Sequence, residues 1–160
     1  IKGLPAGLGS YVQWDRKLDA KLAYGLMGIQ AIKGVEIGRG FENAQKKGSQ
    51  VHDEIFYNTD KAYHRKTNYA GGIEGGMSNG EDLIVRCAMK PIPTLYKPLR
   101  TVDIESKKQA LATVERSDTC AVPAASIVGE MVAITIVAQE FLRKFGSDSL
   151  EEIRKRWKNY

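Results

Sequence analysis

The chain has 160 residues, 42% of them apolar, and 24 basic against 19 acidic side chains give it a net charge of +5. These values support one domain with a hydrophobic core, and they exclude two comfortable domains or intrinsic disorder throughout. So modest an excess suits an anionic ligand such as a phosphate or carboxylate and does not by itself call for nucleic acid.

Gly3 to Ser10 is glycine-dense and predicts loop, or one short extended piece. From Asp15 the pattern changes: Leu18, Leu22, Leu26, Ile29 and Ile32 recur at three- and four-residue steps, the buried stripe of an amphipathic helix. Asp15 is its expected N-cap, and Gly34, just past Lys33, its expected left-handed stop. Gly25 and Gly28 inside it each cost about 1 kcal/mol against Ala, so something is expected to approach the backbone closely there.

Val35 to Gly38 alternates and predicts a short strand, and Phe41 to Lys47 a short helix stopped by Gly48. His52 to Lys66 is polar and irregular and reads mostly as loop; Asn68 to Gly80 is dominated by glycine. Leu83 to Met89 predicts a strand, closed by the extended Pro91-Ile92-Pro93. Arg100 to Glu105 alternates weakly, and Ala110 to Glu115 is ambiguous.

Pro123 suits the first residue of a long helix that runs to about Lys144 and ends at Gly146. The first half of that helix is apolar nearly all round, which predicts burial on most sides. Ala121 to Ala138 carries Pro123, Ser126, Gly129 and Glu130 and lies at the short limit for a bilayer span, so a helix buried in protein is expected and no membrane partner. A last helix starts at Ser149, with Glu152 at capping-box spacing and Leu150, Ile153 and Trp157 on one face. No repeat or low-complexity linker interrupts 1–160, so a single domain is expected.

Cys87 and Cys120 form no CxxC pair, and His52 and His64 are not clustered, so no metal site is expected and the thiols are read as reduced. Ile1-Lys2-Gly3-Leu4-Pro5 lacks the charged and apolar blocks of a secretory leader, and a cytoplasmic location is expected. The basic run Arg154 to Lys158 reads as a solvated helix face anchored by Trp157. His52 and His64 receive no role.

Four segments offer chemistry, each beside a plainer account. In Asn68 to Gly80, the glycines at 71, 72, 75, 76 and 80 let a backbone bend into positive φ and press its N–H groups against a flat or anionic ligand. A surface loop accounts for them as well, and the run is neither GxGxxG nor a Walker loop. Lys90-Pro91-Ile92-Pro93-Thr94 is a stiff extended strut with a cation at one end; an edge strand and turn is the competing account. Arg116-Ser117-Asp118 offers an anion grip with a proton-handling carboxylate two residues on, or a helix-start pair in which Asp118 caps amides and Arg116 neutralises it. Gly28 to Gly34 offers glycines beside which a cofactor lies close, or tight helix packing.

Taken together the segments are far more specific. Asn68 through Gly80, then Arg86, then Lys90-Pro91-Ile92-Pro93-Thr94 resembles the signature region of chorismate synthases. Arg116-Ser117-Asp118 with Val122-Pro123 is similar to that family's next block, and Gly28 to Glu36 with Gly38-Arg39-Gly40 to its preceding helix-to-strand block. The likeness runs in order from about Gly3 through the last helix.

The resemblance implies an α+β fold, part of a β-α-β sandwich with helices packed between antiparallel sheets, assembled as a homotetramer. It implies a lyase that turns 5-enolpyruvylshikimate 3-phosphate into chorismate by 1,4-elimination of phosphate, with reduced FMN required and no net redox change. Gln30 and Ala31 would border the flavin, Gly75 would lie against it, and Lys90, Pro91, Ile92, Pro93 and Thr94 would line its ring. Arg116 would reach flavin or substrate anion, and Asp118 matches the acid that manages the N5 proton. The glycine segment and the double-proline strut are expected side by side, as half of a cradle. The family's two catalytic histidines, its substrate-holding arginines and a further flavin-contacting segment have no match here, so an incomplete catalyst is expected. Bare strand edges are expected to favour self-association or marginal stability. The alternative is a folded piece that oligomerises or binds flavin weakly without turnover.

Overall fold

The computed structural model describes residues 1–146 and 148–160. Its core is organised by helix α1 (Leu18–Met27), whose Leu18, Leu22 and Leu26 are buried together with Leu8, Ile73 and Leu83 on one side and Ala133, Val137, Phe145 and Ile153 on the other. The stripe that predicts this helix is longer than the helix. Trp14–Arg16 forms a 3-10 turn, Lys17 is the extended N-cap, and Asp15 makes no capping bond. At the far end Gly28 closes the helix in right-handed geometry, and Ala31, with φ 65°, turns the chain into strand β1 (Ile32–Ile37). Ile29 and Ile32 therefore extend the same apolar surface from a turn and a strand. The expected left-handed stop at Gly34 is not made: Gly34 lies inside β1 opposite Ala88.

Strand β1 pairs antiparallel with a later strand, labelled β6 (Val85–Met89), in the register Ile32↔Met89, Val35↔Cys87, Ile37↔Val85. Between them come α2 (Gly40–Asn43), a single turn shorter than expected, and two hairpins. The first, β2 (Ile55–Asn58) with β3 (Ala62–Arg65), replaces the loop expected over 52–66. Tyr57 and Tyr63 face each other across it with ring centroids 5.1 Å apart, and Asn58 Oδ1 accepts the Lys61 amide at 2.7 Å to close its turn. Such aromatic cross-strand pairs are a unit of sheet stabilisation, which propensity for loop does not outweigh.

The second hairpin, β4 (Ile73–Glu74) with β5 (Met77–Ser78), lies within the glycine segment. A further hairpin, β7 (Arg100–Val102) with β8 (Gln109–Leu111), follows β6. Among the described residues every sheet has two strands.

Helix α3 (Val122–Phe145) starts one residue before Pro123, ends at Gly146 and packs on α1. Glycine 25 is the contact point: a Cβ there would stand 2.6 Å from Ile136 Cδ1 and 3.2 Å from Val132 Cγ1, so helix packing accounts for it. Between the helices Lys21 Nζ meets Glu140 at 2.5 Å, and that carboxylate is 4% exposed. The expected burial on most sides does not occur. Only Ala133, Val137, Glu140 and Phe145 are buried, while Ile127, Val128, Met131 and Ile134 are bare. The reason is geometric: α1 and the last helix pack on one side of α3, and none of the described residues covers the other.

Helix α4 (Leu150–Lys158) is capped as predicted, Ser149 Oγ accepting the Glu152 amide. Ile153 is buried and Trp157 packs against Phe141 and Phe145, centroids 5.3 Å away in each case, while Leu150, expected on the same face, is exposed. Tyr160 donates to Ala6 O at 2.7 Å and ties the two chain ends together.

Candidate functional site

The glycine segment is threaded between the end of β1 and the start of β6. Gly38 N donates to Ile84 O (2.9 Å), Ile84 N to Gly71 O (3.0 Å) and Arg39 N to Tyr69 O (2.9 Å). Asn68 spans the bend, its Oδ1 accepting Gly72 N at 2.8 Å and its Nδ2 donating to Asp82 O at 2.7 Å. Gly72, at φ 82°, lies so close to the returning chain that a Cβ would stand 2.6 Å from Asp82 O. These are close backbone crossings, which only glycine permits.

Gly75 is different. It opens the two-residue turn between β4 and β5 with φ 58°, Gly76 follows at 84°, and two positive values are what a tight hairpin of this hand requires. A Cβ on Gly75 would meet nothing within 4 Å, so its backbone is open to a ligand. Beside the turn, Glu74 accepts from Arg65 Nη2 at 2.6 Å and from Asn79 Nδ2 at 2.8 Å, while Arg65 Nε is buried without a partner.

The start of the segment is held by Asp53, which no motif reading singled out. Its carboxylate accepts from the Thr67 hydroxyl (2.6 Å) and from the Tyr69 and Ala70 amides (2.9 Å each). Burial pushes this carboxyl up, but the Thr67 hydroxyl, the Ala70 and Tyr69 amides and the charge of Arg65 outweigh burial and hold it below the usual aspartate range. No local spacing announces such a residue, because its partners lie 14 to 17 positions away.

The β1–β6 ladder brings two of the four segments together. Lys90 N donates to Ala31 O at 2.8 Å, so Gln30 and Ala31 sit against the start of the proline strut. Gln30, Lys90, Pro91 and Pro93 are exposed, with Ile92 and Thr94 half-buried, and 90–94 takes neither helix nor strand. A groove of about 380 Å³ runs beside this corner, lined by Ile29, Ile32, Met89, Val122, Ser126 and Glu130 among others. Cys87 also lines it, and burial pushes that thiol up.

Arg116 and Asp118 lie in the irregular stretch before α3 and pair with each other, Nε to Oδ1 2.8 Å, both exposed. Asp118 does not cap the helix, whose N-cap is Ala121 with no side-chain bond, so of the helix-start account only the ion pair survives.

The expected side-by-side cradle is not formed. Gly76 O accepts from Leu18 N at the first residue of α1, whereas Ala31 and Lys90 lie past its last residue. The glycine turn and the strut therefore bracket a ten-residue helix, about 15 Å long at 1.5 Å per residue. A larger groove, about 1120 Å³, follows the bare side of α1 and α3 and touches none of the predicted site residues. Among the described residues no cluster of metal-ligating side chains is present.

A family model described as chorismate synthase matches residues 1–142. The chain is 80% identical over 160 residues to the chorismate synthase of Alkaliphilus metalliredigens (strain QYMF), covering 100% of this chain and 42% of that protein. It is 63% identical over 165 residues to the chorismate synthase of Geotalea daltonii (strain DSM 22248 / JCM 15807 / FRC-32), again 42% of that protein and 99% of this chain. A solved structure described as a crystal structure of chorismate synthase superposes with TM-score 0.81 at 46% identity, over 99% of this chain and 40% of that one. The chain thus spans about two fifths of the length of the relatives it matches.

Proposed function

The chain belongs to the chorismate synthase family, and from that membership we propose that it supplies part of the active site of a flavin-dependent lyase. The reaction is 1,4-elimination of phosphate from 5-enolpyruvylshikimate 3-phosphate to give chorismate. One observation carries the reading: the matched span, 1–142, contains every segment from Gln30 to Asp118 that the motifs nominate.

The residues fit a reduced FMN in part. Lys90 and Arg116 are exposed cations suited to its phosphate or to the substrate's anions, and Gly75 offers an open backbone turn. Reduced FMN, when bound, supplies electron density that assists departure of phosphate and is then returned. On this reading Gln30 and Ala31 border the cofactor at the corner where Ala31 O holds Lys90 N. Pro91, Ile92, Pro93 and Thr94 fix the wall beside it, the prolines restricting the backbone to an extended path. Arg116 is held to Asp118 through Nε, which leaves its Nη groups to grip an anion. Asp118 holds the proton at flavin N5.

A second reading, a folded piece that self-associates or binds flavin without turnover, is favoured by the bare α1–α3 groove of about 1120 Å³. Homotetramer assembly and a cytoplasmic location belong to the same proposal. An anaerobic assay with reduced FMN and substrate separates the two readings. We expect no turnover from the 160 residues alone, and recovery when the rest of a family member's polypeptide is added in trans. Turnover by the chain alone would overturn the partial-site reading; no recovery in trans would count against the lyase reading.

A further inference from the structure

The residue that fixes the glycine segment lies outside the four segments nominated for chemistry. Asp53, half-buried between α2 and β2, gathers the Thr67 hydroxyl and the Tyr69 and Ala70 amides on one carboxylate. Neighbouring amides converging on an Asp form the arrangement of a helix cap, here on a segment with no helix to cap. Those amides directly precede Gly71 and Gly72, where positive φ values of 67° and 82° carry the chain across Gly38 and Asp82. Beyond Gly72 the chain runs straight into β4 and its turn at Gly75. The path of the turn is therefore set from two sides, by the Gly9↔Met77 bridge and by Asp53.

We propose that Asp53 is a positioning residue: its carboxylate holds 67–70 on the path that presents Gly75 to bound flavin, without touching the reacting atoms. Only the last step, the effect on flavin, rests on the function proposed above; the clamp stands on hydrogen-bond geometry. Arg65 of β3 is the charged group that faces Asp53, and the other partners are neutral donors. Because the folded carboxyl is held below its unfolded value of about 3.9, the clamp is fully present above that pH. It is lost as pH falls through the lower folded value.

The test is amide hydrogen exchange and NMR on the 160-residue chain, as wild type, Asp53→Asn and Thr67→Val, with FMN binding measured separately under anaerobic reduction. Asp53→Asn is expected to speed exchange at Tyr69 to Gly72 about tenfold or more, with α1 and α3 changed less than about twofold. Thr67→Val, which removes one of the three bonds, should give a smaller rise at the same amides. In the wild type the Tyr69 and Ala70 amide resonances should titrate together at a midpoint below the usual aspartate range, and stop doing so in Asp53→Asn. Flavin affinity should fall about tenfold in Asp53→Asn, a loss of about 1.4 kcal/mol.

Unchanged exchange over 67–72, or an equal rise throughout the chain, overturns the clamp. Loosened exchange with undiminished flavin affinity overturns the positioning role. If the wild type binds no FMN, the flavin reading fails while the exchange data still decide the clamp. If Asp53→Asn does not fold, Thr67→Val and the wild-type titration decide it.

Discussion

Two glycines of one segment should respond unequally to the same substitution. Gly72→Ala forces a left-handed Ala, about 1–2 kcal/mol, and places its Cβ 2.6 Å from Asp82 O and 2.9 Å from Leu83 Cα. Both neighbours are backbone and cannot swing aside, so overpacking adds about 1–3 kcal/mol. The sum is about 2–5 kcal/mol, a large share of the roughly 5–15 kcal/mol of a small domain. Gly75→Ala incurs only the conformational part, about 1–2 kcal/mol, because nothing lies within 4 Å of its Cβ. Alanine also reduces the freedom of the unfolded chain by about 0.4–1 kcal/mol, equally at both sites, so the difference is unaffected. Urea unfolding followed by far-UV circular dichroism, with equal m-values required, should separate the variants by about 1–3 kcal/mol. On the proposed reading Gly75→Ala is the one that weakens flavin binding. A Gly75→Ala variant as unstable as Gly72→Ala would refute this division between architecture and binding.

In a full-length family member carrying this segment, Asp118→Asn should slow turnover about a hundredfold or more and leave flavin affinity nearly unchanged, by steady-state kinetics and flavin titration. Lys90→Ala should weaken flavin or substrate binding and leave the unfolding free energy of this chain within about 0.5 kcal/mol of wild type, since Lys90 is exposed. Ile127→Asp on the bare side of α3 should reduce concentration-dependent self-association in sedimentation runs. An unaltered association constant would mean that another surface makes the contact.

The apolar stripe of α1 was legible because burial imposes a period, yet the same period hid where the helix ends. Ile29 packs on the core after the helix has ended at Met27, and Ile32 is buried after the chain has turned at Ala31. Periodicity reports which side is buried, and a strand that continues the same surface satisfies it. The hairpin over 55–65 was missed for the opposite reason. Its charged and polar residues masked Ile55-Phe56-Tyr57 and the Asn58 turn, which were the available signals. The glycine segment was legible as special, but its glycines do two jobs, and residue spacing does not distinguish Gly71, Gly72 and Gly76, which lie against other backbone, from Gly75 and Gly80, which are open. For the role of Asp53 local spacing carried no signal, because a clamp between distant segments leaves none.

Completeness of the core and completeness of the site are different properties of this chain. Leu18, Leu22 and Leu26 are buried in one cluster with Leu8, Ile73, Leu83, Ala133 and Val137, so the core around α1 is built from these residues. The corner of Ala31 and Lys90 is held by the β1–β6 ladder, also internal, and keeps its geometry for the same reason. Among the described residues Arg116 and Asp118 instead hold only each other, on an exposed irregular stretch before α3. Beyond that pairing, nothing described in this chain fixes where the two side chains point. On the proposed reading the flavin-facing corner therefore survives in isolation better than the proton-handling pair. Flavin binding should accordingly be retained under conditions in which turnover is lost.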